Sequence, residues 1–370
     1  MKTRHLLAAI TLTSGLVVGA QPAVSGAASY DVHPGQSIQA AIDAAPSGAR
    51  IEIAPGTYHE NLDISRPVSL DGHHTILVPG GTVNDAPCTS PAQQSSAVTG
   101  AAPASVGDLV TGICIHGSVD QNFSPTAYLA GVKIDGIASV GWSGDGAFAV
   151  ATDGLDVRDA EFGSNGGYGI FAFHSKHVRY TDSFSHDNGD AGFYIGESPG
   201  ADVRVEHNTS SRNRGEGLLF RDSLGGKIHD NTFVGNCAGL FLLDTGAPGI
   251  GGQVSVYDNT VTANNNACPP GSDSPPLSGI GIGILGDTGT RVEHNTVRNN
   301  AAGGPSALPS GGLILLDTTG FGGTAPTNNR IEKNRLSNNS PVDIFSDGSG
   351  SGNTFNRNRC SASNPGGLCS

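Results

Sequence analysis

The chain is poor in the residues that build helical or nucleic-acid-binding proteins. Of its 370 residues only 14% are charged and 6% aromatic, with one Met and one Trp. A helical bundle or coiled coil needs Ala, Leu, Glu and Lys at a sustained period of about 3.5 or 3.6 residues. The 55 glycines work against that. Basic residues are scarce: 20 Lys and Arg against 33 Asp and Glu give a formal charge of −13, which argues against a nucleic-acid partner. The glycines do not fall at every third position, so collagen is excluded. No segment beyond the first 20 residues is apolar enough to span a membrane. What remains is a turn-rich, acidic β protein.

The N-terminus has the layout of a secretory signal. Lys2 and Arg4 precede a short apolar run from Leu6 to Ala20, and small residues follow it. We therefore expect residues 1–28 to be a signal peptide and the mature protein to be extracellular. Six cysteines fit an oxidising compartment, and none forms a Cys-x-x-Cys pair, which argues against zinc. Six allow fifteen pairings. Sequence order suggests Cys88–Cys114, Cys237–Cys268 and Cys360–Cys369, each closing a local loop.

Internal repetition is the strongest signal. Segments such as Lys227-Ile-His-Asp-Asn231-Thr-Phe-Val-Gly-Asn236 and Arg291-Val-Glu-His-Asn295-Thr-Val-Arg-Asn-Asn300 recur, each with a second Asn five positions after the first. The first-Asn column runs Ala160, Ser183, Asn208, Asn231, Asn259, Asn295, Asn334 and Asn358, in steps of 23, 25, 23, 28, 36, 39 and 24 residues. A second column follows it. Gly169-Ile-Phe-Ala-Phe-His174, Gly192-Phe-Tyr-Ile-Gly-Glu197, Gly217-Leu-Leu-Phe-Arg-Asp222, Gly239-Leu-Phe-Leu-Leu-Asp244 and Gly312-Leu-Ile-Leu-Leu-Asp317 align without gaps. Gly283 to Asp287 fits with a one-residue slip, and Val342 to Asp347 fits without the glycine.

A unit of about 23 residues with short β runs and no helical period is one coil of a parallel β-helix. Equivalent residues then stack in columns, and Asn at a bend can bond its own turn and the Asn of the next coil. We expect residues 29–370 to form a single all-β domain of this kind, with Asn208, Asn231, Asn259, Asn295, Asn334 and Asn358 as a structural ladder. The long steps mark loop insertions at 265–279, 301–310 and 318–328. Ile38, Ala41, Ile42 and Ala45 sit at helical spacing, so a helix over 36–46 is expected to plug the open end of the stack. Residues 80–128 are rich in Ala, Ser, Gly and Pro and are expected to form an inserted lobe, broken by one strand near Leu109 to His116.

Ile51-Glu-Ile-Ala-Pro-Gly-Thr-Tyr58, the helix before it and the Asn-rich coils after it resemble the secreted right-handed parallel β-helix proteins of the pectin-lyase-like superfamily. The resemblance covers nearly all of the mature chain. It implies the fold and leaves the activity open, because that fold hosts lyases, hydrolases, epimerases and binding proteins.

Alternation within the second-column strands gives a candidate site. With Ile170, Phe193, Leu218, Leu240 and Leu313 inward, Phe171, Tyr194, Leu219, Phe241 and Ile314 face out. The column His174, Glu197, Asp222, Asp244, Asp317, Asp347 follows them. Two readings stand side by side. In one, loops and the 80–128 lobe cover this apolar stripe and the acids cap turns. In the other, Phe171, Phe173 and Tyr194 form a sugar-stacking platform. Tyr168, His174, Glu197, Arg221, Asp222 and Asp244 then supply acid, base and clamp for a polysaccharide, with loops over only the C-terminal end of the face. Calcium held by Glu197, Asp222 and Asp244 would neutralise a uronate; no other cofactor is required. Tyr168-Gly-Ile-Phe-Ala-Phe-His174 also resembles the Tyr-Gly-Phe-Asp-Pro-His motif of mannuronan C5-epimerases. The motif's Asp falls on Phe171 and its His on Phe173, and a later motif Asp falls on Ala191, with Asp190 one place early. The expected protein is a monomer that binds or processes an extracellular polysaccharide, or else a non-catalytic rod.

Overall fold

A computed structural model describes residues 29–370 apart from 82, 85–87, 89–108, 122, 199, 201, 248–250 and 271–274. The expected signal peptide lies outside the described residues. The chain winds as a right-handed parallel β-helix with three short strands per coil. In one regular coil these are Arg179–Thr181, Phe184–His186 and Phe193–Gly196. Third strands form an eleven-stranded parallel sheet that follows chain order from Leu62–Ile64 to Ser363–Asn364. First and second strands pair coil to coil in the same parallel way, as in Tyr180↔Val205 and Ser185↔Ser210.

Most strands point one or two apolar residues into the bore, and Phe184–His186 and Thr209–Ser211 point in Ser185 and Ser210. Val157, Tyr180, Val205, Ile228, Val256, Val292 and Ile331 stack from the first strands, all fully buried. Ile170, Phe193, Leu218, Leu240, Ile282 and Leu313 stack from the third, so the inward face is the one expected. The coil at Ile280–Leu285 corrects the alignment. Ile282 pairs with Leu240 and Leu313, so Gly281 and not Gly283 holds the glycine position and no slip is needed. Ile344 pairs with Leu313, which places Asp343 at the glycine position and moves Asp347 out of the acidic column by one residue.

The Asn column is a continuous hydrogen-bonded ladder. From Asn208 to Asn334, each backbone N–H and each side-chain Nδ2 donates to the Oδ1 of the next Asn at 2.9–3.1 Å, ending on Asn358. The Asn five residues on forms a second ladder, Asn165, Asn188, Asn213, Asn236, Asn264, Asn300 and Asn339, which ends on Asp343. Each ladder satisfies bend amides that the strands leave free.

The helix spans Ile38–Ala44, shorter than expected at both ends; the Ser37 side chain caps it and Ile38 and Ile42 close the first coil. The three disulfides pair as expected, Cys88–Cys114, Cys237–Cys268 and Cys360–Cys369. Ile113–His116 is not an interruption of a lobe but a regular third strand, between Leu62–Ile64 and Ala147–Val150.

Candidate functional site

Insertions rise on both sides of the third-strand sheet. Among the described residues, Pro275, Leu277 and Leu308 precede third strands and stand along one edge, and Thr245, Thr318 and Phe321 follow third strands and stand along the other. The outer face of that sheet is thus a floor between walls, and the stripe on it forms an apolar cluster separate from the bore.

The platform residues are buried. Phe171, Phe173 and Tyr194 are 2%, 2% and 1% exposed, packed with Cys88, Phe123 and Phe148. Phe171 stacks at 4.8 Å on Phe148 and at 4.3 Å on Tyr194. They cannot offer faces to a sugar, which corrects their assignment as a stacking platform. The cover lies over the N-terminal part of the stripe, the reverse of the expected order. Sequence pattern could rank the stripe by aromatic content but not locate the cover, because Phe123 and Cys88 reach it from distant turns.

The floor opens one to four coils after Tyr194. A cleft of about 230 Å³ lies over Leu219, Phe241, Leu243, Leu285 and Leu316, between Pro275, Leu277 and Leu308 on one side and Thr318 and Phe321 on the other. Phe321 is 77% exposed at its rim. Tyr168, Asp190 and Glu216 form one end of the cleft and Arg221 with Thr245 part of the other.

The acidic end is built by the residue positions just before the recurrent glycine. Asp145, Tyr168, Ala191 and Glu216 occupy equivalent places on four successive coils, two residues before Ala147, Ile170, Phe193 and Leu218. Asp145 and Glu216 are buried. Asp145 Oδ1 accepts the Tyr168 N–H at 2.8 Å, and Asp190 Oδ1 accepts the Ala191 N–H at 2.8 Å. A Cβ at Gly215 would stand 2.7 Å from Asp190 Oδ1, so glycine there lets the carboxylate lie against the turn that leads into Glu216. Burial, then the charge of Asp190, pushes the Glu216 carboxyl up to about 8. Burial likewise moves Asp145 to about 7. The Tyr168 phenol is held well above its usual value by burial and by Asp190, so it is a donor and not a phenolate base at neutral pH.

The expected catalytic set divides. Tyr168 and Arg221 line the cleft. His174 and Glu197 do not: the His174 Nδ1–H donates to the Glu197 carbonyl at 2.8 Å, and burial lowers the imidazole and raises the Glu197 carboxyl. Asp222 accepts Arg221 Nε at 2.9 Å and the Thr245 hydroxyl at 2.7 Å. Asp244 accepts the Gly246 N–H at 2.9 Å and the Thr324 hydroxyl at 3.0 Å. Asp317 and Asp347 cap Thr319 and Ser349 in the same way. These acids fix the loops of one wall. Glu197, Asp222 and Asp244 do not converge, and among the described residues no three His, Cys, Asp or Glu side chains group as metal ligands. Asp190 and Glu216 were missed as a pair. The usable signal, an acid immediately before the recurrent glycine as in Asp145-Gly146 and Glu216-Gly217, finds Glu216 but not Asp190, which Ala191 separates from Gly192.

Fold and cleft together define a class: right-handed parallel β-helix proteins with a groove on the outer face of one sheet. The chain belongs to the family described as right handed beta helix region, which it matches over residues 111–261 and 145–370. Solved structures agree on the fold. DFA-IIIase from Arthrobacter chlorophenolicus A6 is 14% identical with a TM-score of 0.58, over 90% of this chain and 86% of that one. The mannuronan C-5 epimerase AlgE6 A-module of Azotobacter vinelandii is 17% identical with a TM-score of 0.53, over 87% and 88%. The periplasmic alginate epimerase AlgG is 14% identical with a TM-score of 0.51, over 89% and 82%. At these identities the likeness is one of fold. No curated protein sequence matches the chain.

Proposed function

We propose that the protein is a secreted carbohydrate-active enzyme that cleaves a glycosidic bond in an extracellular polysaccharide at the Asp190–Glu216 end of the cleft. The observation that carries this reading is a buried carboxyl, Glu216, beside a second carboxyl at the end of a walled groove. Asp190 stacks on Gly215, so the two carboxyls stand on adjacent coils one position out of register, a paired-acid arrangement of the kind glycosidases use. Glu216, neutral at pH 7, is suited to protonate a leaving oxygen. Asp190 is the carboxylate placed to attack or to activate water. Tyr168 donates to a sugar hydroxyl, and Arg221 faces the far end. Relatives in fold that act on carbohydrates, the DFA-IIIase and the epimerases named above, support the substrate class. The three disulfides suit an extracellular setting.

Incubation with neutral and uronic polysaccharides tests this. New reducing ends without unsaturation support hydrolysis; unsaturated uronate would mean a lyase. Binding with no product, unchanged by Glu216→Gln, would favour the second reading, a non-catalytic binder, to which the apolar lining of the cleft points. Activity is expected to fall as pH rises through about 8, when Glu216 loses its proton. Stability follows the same groups. Unfolded Glu and Asp ionise near pH 4, while folded Glu216 and Asp145 hold their protons to about 8 and about 7. Their contribution is complete below about pH 4 and is lost progressively up to about pH 8, which urea titrations across that window would read. Calcium is not required in this mechanism. Chelation is expected to leave turnover unchanged, because Asp222 and Asp244 already bond Arg221, Thr245, Gly246 and Thr324.

A further inference from the structure

The corner between first and second strands carries one outward side chain per coil just before the ladder Asn. Asp159, Asp182, His207, Asp230, Asp258, His294, Lys333 and Arg357 all have a left-handed φ between 40° and 60°, so the same backbone projects each of them. The charge changes along the stack from acidic to basic. The next outward column behaves alike: Thr232, Thr260 and Thr296 are followed by Arg335 and Arg359. Asn334 and Asn358, between the columns, are buried. Four exposed cations therefore stand on two adjacent coils, about 5 Å apart along the stack.

They line a concavity of about 480 Å³ with His294, Thr296 and Asp258. Among the described residues none of the four is in an ion pair, although nearby Glu293 contacts Arg291 and His294. In a chain of net charge −13, four uncompensated cations this close raise the energy of the unliganded surface, and an oxyanion would relieve it. Guanidinium forks suit carboxylate or sulfate. No Phe, Tyr or Trp lines the concavity to stack a base, and Asp258 at its edge can accept a sugar hydroxyl.

We infer that this concavity is a second binding site, for an acidic polysaccharide segment held by its carboxylates or sulfates. It lies on a different face from the Glu216 cleft and does not depend on chemistry there. The test is calorimetric titration of the full chain at low salt with polygalacturonate and with dextran sulfate, against neutral dextran and single-stranded DNA. Expected is binding of at least one acidic glycan, none of neutral dextran, and weakening by about tenfold or more in R335Q/R359Q. K333Q/R357Q, checked for fold by circular dichroism, serves as an independent pair. R335Q/R359Q should keep the turnover of the unaltered protein while losing this binding, which separates this site from the proposed catalytic one. No glycan binding at low salt, affinity in both double variants equal to that of the unaltered protein, or preference for DNA would overturn it.

Discussion

Replacing Asn295 with Ala is expected to destabilise the protein by about 4 kcal/mol, seen as a large fall in urea midpoint with little change in slope. Asn295 is fully buried in the middle of the ladder. Its Nδ2 donates to Val256 O, Glu293 O and Asn334 Oδ1, and its Oδ1 accepts the N–H and Nδ2 of Asn259, all at 2.9–3.1 Å. Alanine removes every one of these bonds. It leaves the Val256 carbonyl and the Asn259 N–H inside the bend without a partner, at about 1–3 kcal/mol per orphaned group, while the Asn259 Nδ2 keeps the Ile228 and Tyr257 carbonyls. Asn295→Ser should cost less, because Ser183 already holds the equivalent place and its hydroxyl accepts the Ala160 N–H at 3.2 Å. Asn358→Ala should also cost less, since Asn358 ends the ladder and has no further Asn beyond it.

That ladder was readable from spacing alone, and so were the strand columns and the inward set. Each depends on a period, and a period survives in sequence because every coil repeats the same bend. Gly281 shows the limit: with glycines at 281 and 283 the sequence pattern aligns Gly283 with a slip, and the pairing of Ile282 with Leu313 puts Gly281 there instead. The site was less legible for a physical reason. Whether Phe171 or Leu219 meets solvent depends on non-repeating insertions, and Phe123 covers Phe148 with ring centroids 6.4 Å apart although 25 residues separate them. The acids that drew attention by forming a column, Asp222 and Asp244, are the ones consumed in holding loops. Glu216 stands outside that column, and its chemistry comes from burial, which the sequence pattern does not report.

Glu216→Gln is expected to lower kcat by about 10²–10⁴-fold with KM little changed, the range for loss of a positioned general acid. Glutamine keeps the shape and can still donate a hydrogen bond, so substrate binding and the cleft should persist, but it cannot release a proton to a leaving oxygen. The same substitution has a second readout, in stability, that tests the burial behind the Glu216 shift. Folded Glu216 must be ionised in a buried place above about pH 8, and glutamine avoids that cost. The variant should therefore be more stable than the unaltered protein at pH 9 and nearly equal to it at pH 4, while being inactive at both. Asp190→Asn offers the complementary check. Removing its charge withdraws the second cause of the Glu216 shift, so any residual activity should have its alkaline limb moved to lower pH. An alkaline limb that stays in place after Asp190→Asn, or full turnover by Glu216→Gln, would remove these two carboxyls from the mechanism and leave the apolar floor of the cleft, Leu219, Phe241 and Leu243, as a binding surface only.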